Sequence, residues 1–340
     1  MSKQLLIASL LASASVLAAA PQSKQAPQRT TGFTSTLTAR PCQPRSPERT
    51  VNPQGTELWG TARKVAADEM SSVLTSMDLG QVWLKGAMLK GVHIKDGVLV
   101  APSLGPTDLA GARLKGKASD GETVEVAICE AEQKPDEPDM VRYRIEVGNK
   151  KSNTWENPCS PTGQTASPQA FVMKGVWDDK GAWSEAPGRF TFACDAGVIA
   201  KCINWGYKPW AMRDGKPLAE LHQACTRMAR ADYCGNGRSH TRQGNLIDMF
   251  DSLQINTRTP EPSASSRFLF EGTWTSQGAS CVGVTRDGYP LEKILEECPA
   301  RFQAVRKDLG GGDSCGLVLK DGGDVSRMLS NAFFDKASGA

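Results

Sequence analysis

Ala231-Asp232-Tyr233-Cys234 runs without a break into Gly235-Asn236-Gly237-Arg238-Ser239-His240-Thr241-Arg242. A helical pattern meets a glycine-rich turn here. Upstream, Pro217 opens a helix expected over residues 218–233, with Leu221, Ala224, Cys225 and Met228 on one face. Gly235 is its expected cap. If residues 225–234 form one straight helix, they rise about 13 Å, too far for a disulfide. Cys225 then needs a partner on another element. The turn also holds His240, one of three histidines in the chain.

Outward from this point the pattern is mainly β. Residues 170–177 and 189–193 read as strands, with Asp178-Asp179-Lys180-Gly181 as the turn between them. Residues 196–205 suit a short helix stopped by Gly206. Residues 246–250 read as a strand. Residues 268–274 and 280–284 read as a hairpin joined by Ser276-Gln277-Gly278, and residues 291–297 as a short helix before Cys298. Residues 123–128 and 143–147 alternate as half-buried strands that can pair. The glycine- and aspartate-rich stretch 308–324 is expected to be a loop or tail anchored by Cys315.

A different period precedes these strands. Leu74, Leu79, Leu84, Leu89, Ile94, Leu99, Leu104, Leu109 and Leu114 fall five apart. Five suits neither a helix nor a strand. The spacing resembles pentapeptide repeats, with Val82, Ala87 and Val92 at the second inward position, best over residues 79–99. The resemblance implies coils of a square β-helix, and Pro102 and Pro106 interrupt it.

Lys3 followed by an uncharged apolar run to Ala20, with Val16-Leu17-Ala18 and Leu17-Ala18-Ala19 both offering a small residue before a cut, reads as a signal peptide rather than a membrane span. The protein is therefore expected to be secreted or periplasmic. Residues 1–18 carry one charge, so losing them takes the formal net charge from +3 to +2. That argues against a nucleic-acid partner. Ten cysteines in an exported chain read as disulfides: Cys42, Cys129, Cys159, Cys194, Cys202, Cys225, Cys234, Cys281, Cys298 and Cys315. Their pairing is open among roughly 945 possibilities.

The expected fold is α+β, mostly antiparallel β with a few helices, disulfide-rich, and repeat-like near the N-terminus. The expected divisions are a signal peptide (1–18), a flexible linker (19–57) that Cys42 pins to the body, a β or repeat-like region (58–128), a disulfide-rich domain (129–302) and a C-terminal tail (303–340).

The opening stretch has companions: Phe190-Thr191-Phe192-Ala193-Cys194, Ala200-Lys201-Cys202, Trp205-Gly206-Tyr207-Lys208-Pro209-Trp210, Ala224-Cys225-Thr226-Arg227-Met228, Glu271-Gly272-Thr273-Trp274 and Gly278-Ala279-Ser280-Cys281. As a set these resemble the bacterial ADYC domain family, named for residues 231–234. The resemblance implies membership and transfers no catalytic residue.

The residues themselves offer two kinds of site. Asp232, His240 and Asp248 are candidates for a hydrolase cluster, with a carboxylate orienting a histidine base. No Gly-x-Ser-x-Gly elbow accompanies them. Trp177, Trp183, Trp205, Tyr207 and Trp210 offer aromatic area, and Trp205, Tyr207 and Trp210 are the ligand-binding candidates. The expected partner is a cell-envelope glycan or protein. His93, His222 and His240 are scattered, Cys-x-x-Cys is absent and calcium-loop spacing is missing, so no metal or cofactor is expected. An exported binding or structural module is the leading expectation, and a cofactor-independent hydrolase the alternative.

Overall fold

The computed structural model describes residues 32–43, 63–64, 72–73, 75–118, 122–150, 152–159, 168–178, 180–241, 245–260, 268–302 and 328–334. The expected signal peptide, Leu74, Cys315 and the 308–324 stretch lie outside these. The strands run β1 (Arg63–Lys64), β2 (Ser72–Val73), β3 (Thr75–Leu84), β4 (Ala87–Met88), β5 (His93–Lys95), β6 (Val98–Val100), β7 (Arg113–Ala118), β8 (Thr123–Glu132), β9 (Arg142–Asn149), β10 (Thr154–Glu156), β11 (Ala170–Lys174), β12 (Val176–Trp177), β13 (Trp183–Ser184) and β14 (Arg189–Cys194). Helix α1 (Val198–Asn204), β15 (Met212–Arg213), β16 (Lys216–Pro217) and helix α2 (Ala219–Arg230) follow. Then come β17 (Ile247–Asp251), β18 (Phe268–Thr275), β19 (Gly278–Val282), helix α3 (Leu291–Glu297) and β20 (Leu329–Phe334).

The larger sheet has the order β10-β9-β11-β14-β3-β7-β8. Strand β8 also pairs with β9, so β9-β11-β14-β3-β7-β8 returns to its start. The result is a six-stranded antiparallel barrel. Period-two alternation fills it: Met77, Val82, Leu114, Val126, Ile128, Tyr143, Ile145, Val172, Phe190 and Phe192 share one interior core. The intervening residues of β11, Phe171 and Met173, point to a second core outside the barrel.

That second core is built around α2. Leu221, Ala224, Cys225 and Met228 pack with α1, Phe171, Met173 and the four-stranded sheet β17-β20-β18-β19. Ten of the helix's residues, Leu221 to Arg230, are buried. Four disulfides fasten this arrangement: Cys42–Cys129, Cys159–Cys194, Cys202–Cys225 and Cys234–Cys298. Cys281 is disulfide-bonded as well, and no described cysteine is free.

Several expectations are corrected. The five-residue spacing does not make β-helix coils, because β3 pairs with β7 and β5 with β6 in antiparallel fashion. Leu79, Leu84, Leu89, Ile94, Leu99, Leu104, Leu109 and Leu114 nevertheless all pack on the barrel core. The expected boundary between 128 and 129 falls inside β8, whose barrel unites residues from both sides of it. The expected tail contributes β20, which lies between β17 and β18. Within the expected linker, residues 32–43 lie against the barrel. Ser35 and Thr36 donate to the buried Glu125 carboxylate, the Cys42 N–H donates to Glu146, and Trp155 Nε1 donates to Ala39 O. Phe33 packs edge-on to Trp83 at 5.0 Å.

Candidate functional site

Helix α2 ends one turn earlier than expected. Its cap is Ala231, in the left-handed conformation at φ 51° and ψ 42°, rather than Gly235. A helix end leaves carbonyls without partners, and here side chains supply them. Arg286 Nη2 donates to Met228 O and its Nη1 to Ala229 O. Ser239 Oγ and the His240 N–H both donate to Arg230 O, and His240 Nδ1 meets Ala231 O at 3.0 Å.

Each residue of the signature has a place in this closure. Ala231 is fully buried. Asp232 accepts from Arg227 at 2.5 Å and from the N–H groups of Asn236 and Gly237, which folds the turn back on the helix. Tyr233 Oη donates to Glu271 Oε1 and accepts from the Arg286 N–H. Glu271 Oε2 is held by Arg286 and Asn331 Nδ2, and Asn331 Oδ1 accepts from Trp274 Nε1. These four partners of Tyr233 and of one another are buried, so the pair Glu271–Arg286 is fully hydrogen-bonded, as a buried ion pair must be to persist. Cys234 ties the turn to the end of α3 through Cys298. Gly235 and Gly237 are required: a Cβ would stand 1.8 Å from Gln277 O at the first and 2.7 Å from the Lys180 Cα at the second.

The expected hydrolase residues are placed apart in their roles. Asp232 is committed to Arg227 and the turn. Asp248, on β17, accepts from the N–H and Oγ1 of Thr259. His240 is buried between Tyr233 and Tyr289. Its Nδ1 faces a carbonyl and therefore carries the proton. Among the described residues its Nε2 has no hydrogen-bond partner, and the Glu297 carboxylate stands 3.7 Å away. Burial lowers its pKa, opposed by the Ala231 carbonyl and Glu297. The imidazole is enclosed, and burial favours its neutral form.

The aromatic candidates divide. Tyr207 is fully buried, with Oη donating to Asp251. Trp205 and Trp210 are half-buried against the α2 core, and Trp210 Nε1 donates to Asp139. Among the described residues the exposed aromatic is Trp183, at 38%, which borders a cleft of about 550 Å³ beside α2. Gln223, Arg227, Ser276, Gln277 and Arg301 also line it. The sequence signal for Trp183 was its position just after the tight turn that starts at Asp178; nothing local marked Gln223 or Arg301 as its neighbours. The near approach of Cys42, Cys129 and Glu146 is a disulfide beside a carboxylate, because the two sulfurs are bonded to each other.

The geometry thus defines a class: a disulfide-fastened barrel joined to a four-stranded sheet, with a polar and aromatic cleft beside the helix between them. A family model for the ADYC domain matches residues 106–288. The chain belongs to the ADYC domain family. No curated protein and no solved structure matches it. Among the described residues, no helix is long and apolar enough to cross a membrane.

Proposed function

We propose that this protein is an exported binding module whose ligand site is the cleft beside α2. The observation that carries this reading is Trp183: an indole left 38% exposed at the border of a 550 Å³ cavity that also presents Gln223 and Arg301. Concave sites with aromatic walls and a few converging polar groups are the usual form of a ligand site. The signal-peptide pattern at residues 1–18 and the disulfide framework support an oxidising compartment outside the cytoplasm. A cell-envelope glycan or protein is the expected partner.

The hydrolase alternative has less support. It asks for a histidine within reach of both a carboxylate and a substrate. His240 is enclosed, is not among the cleft residues, and is separated by 3.7 Å from Glu297.

Co-sedimentation with purified insoluble cell-envelope glycan tests the module reading. Wild-type protein should pellet with the glycan and Trp183→Ala should remain in solution. Met212→Ala, which removes an exposed apolar side chain outside the cleft, should pellet like wild type. Equal pelleting of W183A and wild type would refute the cleft as the site.

A further inference from the structure

Trp183 is a fixed surface rather than a loose side chain. Its Nε1 donates to Lys174 O at 2.9 Å. Gly175 lies directly against it: a Cβ there would come within 2.4 Å of the indole nitrogen. Glycine's missing side chain therefore seats the ring on the backbone. A flat, preorganised indole suits the apolar C–H face of a sugar ring, because little side-chain freedom remains to be lost on binding.

The charges of the cleft are unequal in availability. Arg227 is already neutralised by Asp232 and also donates to Lys180 O and Ser276 O. Arg301 donates from Nε to Ala279 O at 2.8 Å, and among the described residues no carboxylate is hydrogen-bonded to it. Its two terminal nitrogens keep the planar fork that matches a carboxylate. Burial lowers its pKa, with Asp232 opposing and Arg227 reinforcing that effect, so an incoming anion would relieve an existing strain on the charge. Glu220, exposed on the first turn of α2, is the other charged residue lining the cleft.

Gln223 adds a third requirement. It is 5% exposed, and its Nε2 donates to Gly181 O at 2.7 Å, which fixes the amide. Its Oε1 is buried and has no hydrogen-bond partner among the described residues. An unpaired buried acceptor is costly, and a hydroxyl donor removes that cost.

We infer that the cleft recognises an acidic saccharide, with a sugar ring on Trp183, its carboxylate on Arg301 and a hydroxyl directed to Gln223. This rests on the cleft being the ligand site. A neutral sugar would satisfy Trp183 and leave Arg301 unpaired. A bare carboxylate would satisfy Arg301 and leave Trp183 and Gln223 idle.

N-acetylmuramic acid and N-acetylglucosamine make the decisive pair, since they differ by the carboxylate-bearing group. Both are titrated into the disulfide-intact protein to millimolar concentration while the Trp183 indole N–H resonance is followed. The acidic sugar should shift that resonance and bind about tenfold or more tightly than the neutral one, as expected for one charge-assisted pair. Arg301→Ala should erase the difference, Arg301→Lys should recover part of it, and both should melt within a few degrees of wild type. Equal binding of the two sugars, unchanged in R301A, would overturn the carboxylate assignment and leave the cleft standing as a site. If neither sugar binds but Trp183-dependent sedimentation with envelope glycan persists, the acidic-sugar assignment falls alone. If acetyl-dialanine binds in place of the sugars, the ligand is a peptide carboxylate and the saccharide assignment is overturned. Failure of every probe together with absent sedimentation removes both readings.

Discussion

A single hydroxyl, that of Tyr233, joins the end of α2 to the second sheet by donating to Glu271 and accepting from the Arg286 N–H. Tyr233→Phe keeps the ring and leaves two buried groups short of a partner. The expected cost is about 1–3 kcal/mol, read as a lower denaturant midpoint; an unchanged midpoint would contradict the role. Gly235→Ala should cost more, because the added Cβ meets a carbonyl rather than a flexible side chain. His222 predicts a pH dependence. Its Nε2 donates to Ile199 O, and burial pushes its pKa down from 6.5 to about 4. Between those values the unfolded chain takes up a proton that the folded chain refuses, so stability falls on acidification through that window. Asp195, pushed up to about 6 by burial, works in the opposite sense. Unfolding of wild type and His222→Gln at pH 7 and 4.5 isolates the histidine: the variant keeps an amide donor and should lose less stability on acidification. Identical pH slopes would count against it. At this scale the sequence marked a glycine-rich turn at Gly235 and Gly237, but it put the helix cap at Gly235 instead of Ala231 and gave no sign of the Gln277 and Lys180 backbone that leaves those glycines no room for a Cβ. Glu271, Arg286 and Asn331 reach Tyr233 across long stretches of chain, and no local pattern announces them.

Helices and strands were legible wherever period and punctuation agreed. Helix α3, the β18–β19 hairpin and the pairing of β8 with β9 follow from apolar alternation bounded by turn residues. The five-residue leucine spacing misled because it records how often the chain returns to one core, and that frequency is the same for short antiparallel strands with tight turns as for coils. The end of α2 differed because Ala231, a good helix former, takes the left-handed conformation, and the groups that meet the helix's last carbonyls, Ser239, His240 and Arg286, come from beyond the helix. The Cys234–Cys298 bridge belongs to this scale, since it holds the turn after α2 to α3. Replacing both cysteines by alanine opens a loop of 64 residues and should lower stability by about 4 kcal/mol in the chain-entropy account. A denaturant midpoint equal to that of the intact protein would show the bridge to be passive.

The molecule depends on strands that lie outside the family-matched segment. Residues 106–288 omit β3, which sits between β14 and β7, and β20, which sits between β17 and β18. Each missing strand would open a sheet and expose its core, so a fragment of residues 106–288 should fail to give a cooperative unfolding transition when exported to an oxidising compartment. Residues 1–302, lacking only the segment that contains β20, should fail likewise; a sharp transition in either would show that the sheets close without them. The position of β20 was hidden from the sequence because it follows a long glycine- and aspartate-rich stretch, and a six-residue strand has no partner until the chain folds. The signature residues hold the fold, and the proposed binding belongs to the neighbouring cleft. Tyr233→Phe and Trp183→Ala, compared for melting temperature and for glycan sedimentation per folded molecule, separate these two roles. Y233F should melt lower and still bind per folded molecule, whereas W183A, folded at the assay temperature, should not bind. Loss of binding in Y233F at unchanged stability, with W183A binding normally, would contradict both.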